Sequence, residues 1–415
     1  MKRYSQAFII FLVFILDLCI TADAGASERQ FTLKVGVARK ATFVSISGVD
    51  YSASKQYARI FEKCRLAKNF TSTLSASSDG SIIINNKNTG VDKLYVYPKK
   101  NSYLKINDRT YRGYFEIRAS EKSISVINQV GIEDYLKSVV PSEMEPESCI
   151  EALKAQAVVA RTYALSIMGK HKSAGFDLCN STCCQVYKGV SQETAKTSQA
   201  VAQTAGKIII HGGKAINAYY SASCGGYTES IEEAWPGAPS KKYSRVVECP
   251  YCEKDKKVSW KYKVSKKEFI SKMRKAGFNI SNVLSAKVSN PTRSGRIDTV
   301  EMKVASGTLY YASDLFRKIF GNTNIKSSNF NVYVDRTKTK NEPFKFNRID
   351  DIISARNDYN KKNLDNSFIT FSGSGYGHGV GMCQHGAKKM ADAGRNYTQI
   401  IKYYFTKDVS FKKIY

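Results

Sequence analysis

The 415-residue sequence lacks internal repeats and low-complexity tracts, and it has no helix-turn-helix, zinc-finger or RNA-recognition signature. Acidic residues are few, because 36 aspartates and glutamates stand against 64 lysines and arginines and leave a formal net charge of +28. That charge is the sole argument for a polyanion or nucleic-acid binder, so we expect no nucleic-acid partner. The 42% hydrophobic and 24% charged residues argue against wholesale disorder, and the length permits one large domain or two lobes.

An apolar run near the N-terminus, AFIIFLVFIL, follows Lys2 and Arg3 and precedes the small residues of TADAGAS. A basic start, a short apolar stretch and a small-residue exit are the parts of a secretory signal. The run is short for a membrane-spanning helix and Asp17 interrupts its far end, although an uncleaved anchor with a frayed end stays an alternative. We expect residues 1–26 to be a signal peptide or an N-terminal membrane anchor, and the rest of the chain to be extracytoplasmic.

The positive charge is spread along the chain, with clusters such as Glu253–Phe269. Outside the cytoplasm, a basic surface meets anionic lipid headgroups and anionic wall polymers first. The alternative is that most of these lysines form a solvated surface that aids solubility. We expect an anionic membrane surface or wall polymer among the partners.

Strand-like alternation of apolar and polar residues dominates the first part of the sequence, for example in FTLKVGVARKATFVSISGV and SISVINQVGI. Ser148–Met168 has helical spacing, and Ser148 and Glu151 form an S-x-x-E capping box at its start. Residues 335–366 are polar and charged, and they indicate an insertion. The sequence therefore predicts an α+β fold with a strand-rich core and inserted helices.

Three segments carry more specific patterns: GIEDYLKSVVPSEM followed by ALKAQAVVARTYAL, then AYYSASCGGYTES, then GYGHGVGMCQHGAKKMADAG. In this order they resemble the SpoIID/LytB family of bacterial cell-wall proteins. The resemblance implies a two-lobed catalytic domain with a cleft over residues 27–415. It also implies a peptidoglycan lytic transglycosylase that cleaves MurNAc-GlcNAc glycan strands to 1,6-anhydro products during sporulation and engulfment. Other family members are amidase enhancers, so the alternative is a non-catalytic wall-binding protein that assists an amidase or another wall hydrolase.

Three glutamates in VVPSEMEPESC are candidates for the acid of this reaction. A lytic transglycosylase can work with one carboxyl group, because the 6-hydroxyl of the sugar is the nucleophile. Glu147 precedes the predicted helix start and Glu145 lies three residues after Ser142, so both suit helix-start roles. Glu143 follows strand-like LKSVVP in a predicted loop and lacks such a role. It also matches the glutamate of the family's PSEM-like motif, so the prediction for the catalytic acid is Glu143.

Other residues of the same segments are predicted to bind the glycan: Lys154, Gln156, Arg161, Tyr220, Ser223, Tyr227, His378 and Gln384. Lys154 and Arg161 are seven residues apart and share a helix face, where the alternative is a solvated pair. The Gly-Gly turn in the second segment permits close approach of a ligand, and its tyrosines offer faces for sugar stacking or else belong to the core. The resemblance places His378 and Gln384 at the site.

A further segment, HKSAGFDLCNSTCCQVYKG, contains His171, Cys179, Cys183 and Cys184. Four nitrogen and sulfur ligands within a short span suit tetrahedral zinc, with no position left open for catalysis. Family members carry a related segment and some bind zinc through it, although Cys183 stands where histidine is usual. The alternative is a disulfide between Cys179 and either of the other two cysteines. The prediction is a structural Zn²⁺ ion.

Overall fold

The computed structural model describes residues 31–48, 51–54, 70–98, 102–253, 255, 258–335 and 367–415, in two compact units. The first unit comprises Met1–Ser142, Ile167–Glu193 and Lys413–Tyr415, and the second comprises Glu143–Ser166 and Thr194–Lys412. The predicted signal or anchor lies outside the described residues, as does the predicted insertion apart from its first residue. Within the described part, no helix has the length and apolar character needed to cross a membrane.

The first unit is built from two six-stranded sheets. Its strands are β1 (Thr32–Ala41), β2 (Phe43–Gly48), β3 (Tyr51–Ser54), β4 (Phe70–Ala76), β5 (Ile82–Ile84), β6 (Lys87–Asn88), β7 (Lys93–Pro98), β8 (Leu104–Ile106), β9 (Arg109–Tyr111), β10 (Tyr114–Ser120), β11 (Ser123–Gly131) and β12 (Leu178–Cys179). The orders are β12-β1-β11-β10-β7-β3 and β6-β5-β4-β2-β8-β9. Leu33 and Val35 of β1 are buried and Thr32 and Lys34 are exposed, which is the alternation expected at the start of a strand with one face in a core.

Helix α1 (Ile132–Glu143) follows β11 directly, and it corrects one sequence expectation. The LKSVVP stretch predicted as a strand is helical here. Ile132, Tyr135, Leu136 and Val139 are all buried, so the apolar residues recur at the spacing of one helix face. A short apolar run is ambiguous between strand and buried helix, which explains the error. Glu143 is therefore the last residue of a helix, where a loop was predicted.

The second unit contains eight helices and eleven strands among the described residues. The helices are α2 (Ile150–Ser166), α3 (Ala195–Gln203), α4 (Ile231–Ala234), α5 (Pro250–Glu253), α6 (Lys266–Lys275), α7 (Ser313–Phe320), α8 (Gln384–Asp392) and α9 (Tyr397–Tyr404). The strands are β13 (Lys207–His211), β14 (Lys214–Ala215), β15 (Tyr220–Ser221), β16 (Ser259–Ser265), β17 (Val283–Pro291), β18 (Ile297–Val304), β19 (Gly307–Ala312), β20 (Phe330–Asp335), β21 (Phe368–Ser374), β22 (Met382–Cys383) and β23 (Ser410–Lys413).

Small sheets organise the second unit, in the orders β14-β13-β23, β15-β22, β16-β21-β20 and β17-β18-β19. An aromatic core that includes Phe269, Phe316 and Phe371 joins the last two sheets with α6 and α7. Helix α2 is buried on most sides and packs against α3, α8, α9 and β13. The mixture of strands and helices confirms the predicted α+β class.

The start of α2 differs from the sequence expectation. The helix begins at Ile150, and the buried hydroxyl of Ser148 has no hydrogen-bond partner among the described residues. The carboxylate of Glu151 instead accepts from the Lys154 ammonium at 2.7 Å and from the Tyr397 N–H at 2.8 Å. The predicted capping box is therefore wrong, because Lys154 of the same helix and the distant Tyr397 take the carboxylate that the cap would have used.

Candidate active site

A cavity of about 250 Å³ lies within the second unit. Its lining comes from the end of α1 and the turn after it, the turn after β15, the turn after β21 and the start of α8. The lining residues are Glu143, Met144, Glu145, Ala222, Ser223, Val258, Lys326, Gly375, Tyr376, Gln384, His385 and Lys388. Three predicted site residues, namely the candidate acid, Ser223 and Gln384, thus line one pocket.

Glu143 is half-buried, and its main chain is fixed by glutamine contacts. The Nε2 amide of Gln384 donates to the Glu143 carbonyl at 2.9 Å and to Oε1 of Gln156 at 3.1 Å. Gln156 is fully buried on α2, and Gln384 opens α8. Helix α8 is itself tied to the segment of Ser223, because β15 and β22 pair in parallel. The structure therefore brings together three residues that the sequence placed at the site. Gln156 has no exposed surface, so its predicted glycan contact is wrong and it supports Gln384 instead.

Glu145 is the second carboxylate among the residues that line the pocket, and it is held differently. Its side chain is 78% exposed and lies 2.8 Å from the Lys388 ammonium. The hydrogen bond and the positive charge of Lys388 lower the pKa of Glu145. The predicted helix-start role is wrong for this residue, and a carboxylate held in its charged form is poorly suited to donate a proton. Glu147 is exposed, and its carbonyl accepts from Lys196 at 2.9 Å.

Ser223 lies in the turn that faces Tyr376. Its N–H donates to the Tyr376 carbonyl at 3.1 Å, and the Tyr376 N–H donates back to the Ser223 carbonyl at 2.9 Å. Tyr220 and Tyr227 belong to the same segment of the chain, but neither is part of the lining of the described pocket. Tyr227 is 40% exposed, so its ring remains accessible to a ligand.

His378 lies against an aromatic pair rather than in the pocket lining. Its ring centroid is 5.3 Å from that of Trp235 and 5.9 Å from that of Tyr219, and its Nδ1 accepts from the Val380 N–H at 3.0 Å. Burial lowers the pKa of His378 to about 3, and the nearby charge of Arg296 acts in the same direction. His378 is therefore neutral at physiological pH.

The two basic residues predicted to share one face of α2 have different surroundings in the structure. Lys154 pairs with Glu151 one turn earlier. Arg161 is fully buried, and its guanidinium donates to the Lys207 carbonyl at 3.1 Å and to the Val201 carbonyl at 3.4 Å. A side chain without exposed surface cannot contact a glycan. The structure thus contradicts the predicted ligand contact of Arg161 and assigns it to the packing of α2 against α3 and β13.

Sequence reasoning missed the pocket residues Lys326, Tyr376 and Lys388. The Lys326 ammonium lies 5.9 Å from the centroid of the Tyr376 ring, which is 40% exposed. His385, also in the lining, has its Nε2 3.2 Å from an Asp255 carboxylate oxygen. The glycine-rich segment before His378 was the available signal for Tyr376, since small neighbours leave an aromatic ring open to a ligand.

Comparison with known proteins decides the family. Residues 120–211 match the family described as SpoIID, Stage II sporulation protein. Stage II sporulation protein D of Bacillus subtilis is 30% identical over 318 residues, which cover 71% of this chain and 80% of that protein. The chain belongs to the SpoIID family. Residues 120–211, which match the family model, include Glu143 and the predicted metal ligands.

Two further relatives are similar to this SpoIID-family chain, and one of them has a name that states a function. An uncharacterised protein of Brachyspira hyodysenteriae is 33% identical over 301 residues, 72% of each chain. The amidase enhancer of Bacillus subtilis is 31% identical over 297 residues, which cover 65% of this chain but 39% of that protein.

Two clusters among the residues that the structure describes could hold a metal ion. The first, in the first unit, contains the predicted ligands His171, Cys179, Cys183 and Cys184, whose donor atoms all lie within 4.8 Å of one another. The His171 Nε2 is 3.3 Å from the Cys184 sulfur and 3.7 Å from the Cys183 sulfur. The eight cysteines that the structure describes are all free thiols, so the alternative of a disulfide does not hold here. The second cluster, of four buried cysteines in the second unit, escaped the sequence reasoning.

Proposed function

We propose that this SpoIID-family chain is an exported peptidoglycan lytic transglycosylase, in which Glu143 is the single acid and base. The observation that carries the proposal is the pocket in which the half-buried Glu143 ends α1 while its carbonyl is anchored by Gln384. The neighbouring carboxylate of Glu145 is engaged by Lys388 in its charged form. The site thus offers one acid in a suitable setting, and one is enough when the substrate supplies the nucleophile.

The chemistry uses the carboxyl group of Glu143 twice. The carboxyl group first donates its proton to the glycosidic oxygen as the bond to the anomeric carbon breaks. The resulting carboxylate then removes the proton of the sugar's 6-hydroxyl, whose oxygen attacks the anomeric carbon and closes the 1,6-anhydro ring.

The glycan-binding contacts follow from the pocket and from the family resemblance together. Ser223, Lys326 and Gln384 present a hydroxyl, an ammonium and an amide around Glu143, and these groups can bind sugar hydroxyls and acetamides. The exposed ring of Tyr376 offers a face for stacking on a sugar.

The other predicted contacts are not part of this lining, and they remain proposals for sugars further along the strand: Lys154, Tyr220, Tyr227 and His378. The two-lobed cleft and the setting of sporulation and engulfment are likewise proposals that the family relationship supports.

The test is the mass of the products. Glycan strands stripped of stem peptides are digested with the purified chain and with Glu143→Gln, and we expect anhydro-ended fragments from the unaltered protein alone. Glu145→Gln is the matched control, because it removes the neighbouring carboxylate and should retain most of the activity. Absence of anhydro ends with the unaltered protein, or an undiminished yield with Glu143→Gln, would refute the proposal.

A second candidate function is enhancement of a wall amidase without cleavage by this chain. The similarity to the Bacillus subtilis amidase enhancer favours it, together with the net charge of +28. A binder held by charge would bind purified walls less as salt rises, because salt screens exposed charges. Wall binding of this kind, stimulation of an added amidase and no new glycan ends would favour this function over the first.

We also infer that the cluster of His171, Cys179, Cys183 and Cys184 binds a structural Zn²⁺. One imidazole and three thiolates complete a tetrahedron without a vacant position, and such an ion would join the segments before and after β12. Elemental analysis of the chain and of Cys184→Ala checks this inference, since loss of one zinc per chain is expected from the variant.

A further inference from the structure

Four cysteines that are distant in sequence converge in the second unit. Cys224 follows β15, Cys249 and Cys252 bracket the start of α5, and Cys383 ends β22. Each is at most 1% exposed, and all four sulfurs lie within 4.8 Å of one another. We propose that these cysteines bind a single Zn²⁺ ion that fastens together the segments carrying the pocket residues Ser223 and Gln384.

The spacing of the sulfurs fits one metal ion. Zinc–sulfur bonds of about 2.3 Å in a tetrahedron place the sulfurs about 3.8 Å apart. The upper limit of 4.8 Å and the 3.3 Å between the sulfurs of Cys252 and Cys383 bracket this value. A cluster of several irons would place its sulfurs farther apart, because the iron atoms separate the ligands. Four sulfur ligands without nitrogen or oxygen suit zinc among the common divalent ions.

Hydrogen-bond donors surround the sulfurs as they do in metal–thiolate sites. The N–H groups of Cys224 and Gly386 both lie 3.3 Å from the Cys383 sulfur. The hydroxyl of Tyr404 lies 3.4 Å from the Cys249 sulfur, and that of Ser223 lies 3.3 Å from the Cys252 sulfur. Cys249, Cys252 and Cys383 thus each have a neighbour that can donate a hydrogen bond to a thiolate.

Charge around the cluster is also suited to thiolates. Four thiolates and one Zn²⁺ carry a net charge of −2, which is costly to bury without compensation. The guanidinium of Arg296 is itself buried and donates to the Cys224 carbonyl at 2.9 Å. Its Nε has no hydrogen-bond partner among the described residues. A buried cation next to the cluster therefore offsets part of the negative charge.

The position of the cluster explains what the ion would do. Ser223 directly precedes Cys224, and Gln384 directly follows Cys383, so two ligands adjoin two pocket residues. The β15–β22 pairing joins these segments through two residues each, and the His385 N–H adds a hydrogen bond to the Ala222 carbonyl at 3.0 Å. A metal bound to both segments and to the Cys249–Cys252 turn would fix their separation. This role in shaping the pocket rests on the proposed function, whereas the binding of the metal does not.

The test begins with metal content. The full chain is purified with a reductant and without chelator, and zinc and iron are measured by elemental analysis. We expect two zinc ions per chain, one for each cluster. Cys184→Ala should retain one zinc, and Cys249→Ala in that background should retain none. Cys149→Ala is the matched control, because Cys149 belongs to neither cluster and its removal should leave both ions in place.

The ligands of the second ion are then identified in the Cys184→Ala chain. The four-cysteine cluster is intact in this chain, so the result does not depend on the folding of a variant of that cluster. Cobalt replacing zinc should give the intense visible bands of a tetrahedral all-thiolate ion. Peptide mapping without reduction should find no disulfide among the four cysteines. No metal in Cys184→Ala, iron in place of zinc, or disulfides within the cluster would overturn the proposal. Failure of glycan cleavage alone, with the second zinc present, would count against the proposed function and leave this site standing.

Discussion

The hydrogen bonds of Gln384 permit a prediction in which the direction of the effect, and not only its size, is set by the structure. Gln384→Met removes an amide that donates both to the Glu143 carbonyl and to Gln156 Oε1, while it roughly conserves side-chain volume. Each buried acceptor left without a donor costs about 1–3 kcal/mol. Because Gln156 is fully buried and Glu143 only half-buried, we expect Gln384→Met to lower the free energy of unfolding by about 2–4 kcal/mol.

Gln156→Met should be milder. The Nε2 of Gln156 is buried without a partner among the described residues, so its removal relieves a cost while Gln384 still donates to Glu143. The expected loss is about 0–1 kcal/mol. The double variant no longer contains the buried Gln156 oxygen that Gln384→Met leaves without its donor. The double variant is therefore expected to be more stable than Gln384→Met alone, by about 1–2 kcal/mol.

Urea denaturation of the four chains at one pH measures this cycle, and Gln203→Met on the exposed end of α3 is the control for a surface change of the same kind. Zinc content is measured alongside, since Gln384 adjoins Cys383. Additive losses in the double variant would refute the hydrogen-bond assignment. Both variants that lack Gln384 should also cleave glycan about tenfold or more slowly, because small displacements of a catalytic group are costly. Unchanged cleavage by the folded double variant would show that this anchor does not position Glu143.

Three further predictions concern buried or partly buried residues outside the pocket lining. Arg161→Met removes the donor to the Lys207 carbonyl and one donor to the Val201 carbonyl, which still accepts from Thr204. We expect it to lower the free energy of unfolding by about 1–3 kcal/mol with cleavage per folded molecule unchanged, and a selective rise in KM would instead support the glycan contact predicted from the sequence. The pKa of about 3 for His378 lies below its unfolded value, so stability is lost as pH falls from about 6 towards 3, by at most about 1.4 kcal/mol per pH unit. His378→Asn should flatten that dependence in denaturation at pH 7 and pH 5, and an equal slope would contradict the assignment. Gly386→Ala would place a Cβ 2.6 Å from the Cys249 sulfur and against the Tyr404 hydroxyl, so we expect about 1–3 kcal/mol of destabilisation and faster zinc release to a chelator, and a neutral effect would show that the cluster is less tightly packed.

The prediction of Glu143 shows how far local patterns reach. The motif match and the need for one carboxyl group both pointed to this residue, and the structure places it in a pocket. The supporting details came from local signals and were wrong where tertiary contacts decide. Glu145 was interpreted through its distance from Ser142, yet it pairs with Lys388, 243 residues away. No spacing rule connects positions that far apart.

Helical spacing on α2 likewise could not predict which tertiary contacts a side chain makes. A separation of seven residues does place Lys154 and Arg161 on similar sides of a helix, but it does not tell which sides are covered. Helix α3 and β13 cover the side of Arg161, and their main-chain carbonyls take its donors. The many alanines of α2 indicated burial, and the buried arginine follows from that burial. The alanines were the better guide to Arg161 than its charge.

The two cysteine clusters differ in whether the sequence alone could predict them. His171 to Cys184 spans one loop, so ligand spacing along the chain was enough to predict that cluster. Cys224 and Cys383 are 159 residues apart, and only the Cys249–Cys252 pair of the second cluster is visible as a motif. By itself a C-x-x-C pair is compatible with a tight loop or a redox pair, and neither involves a third cysteine. The parallel pairing of β15 with β22 supplies the missing step, because it brings Ser221 opposite Cys383 and so carries Cys224 to the same place. A metal at this point would stabilise the long-range pairing that also forms the pocket, and the stability of the candidate site and the presence of zinc should therefore be lost together.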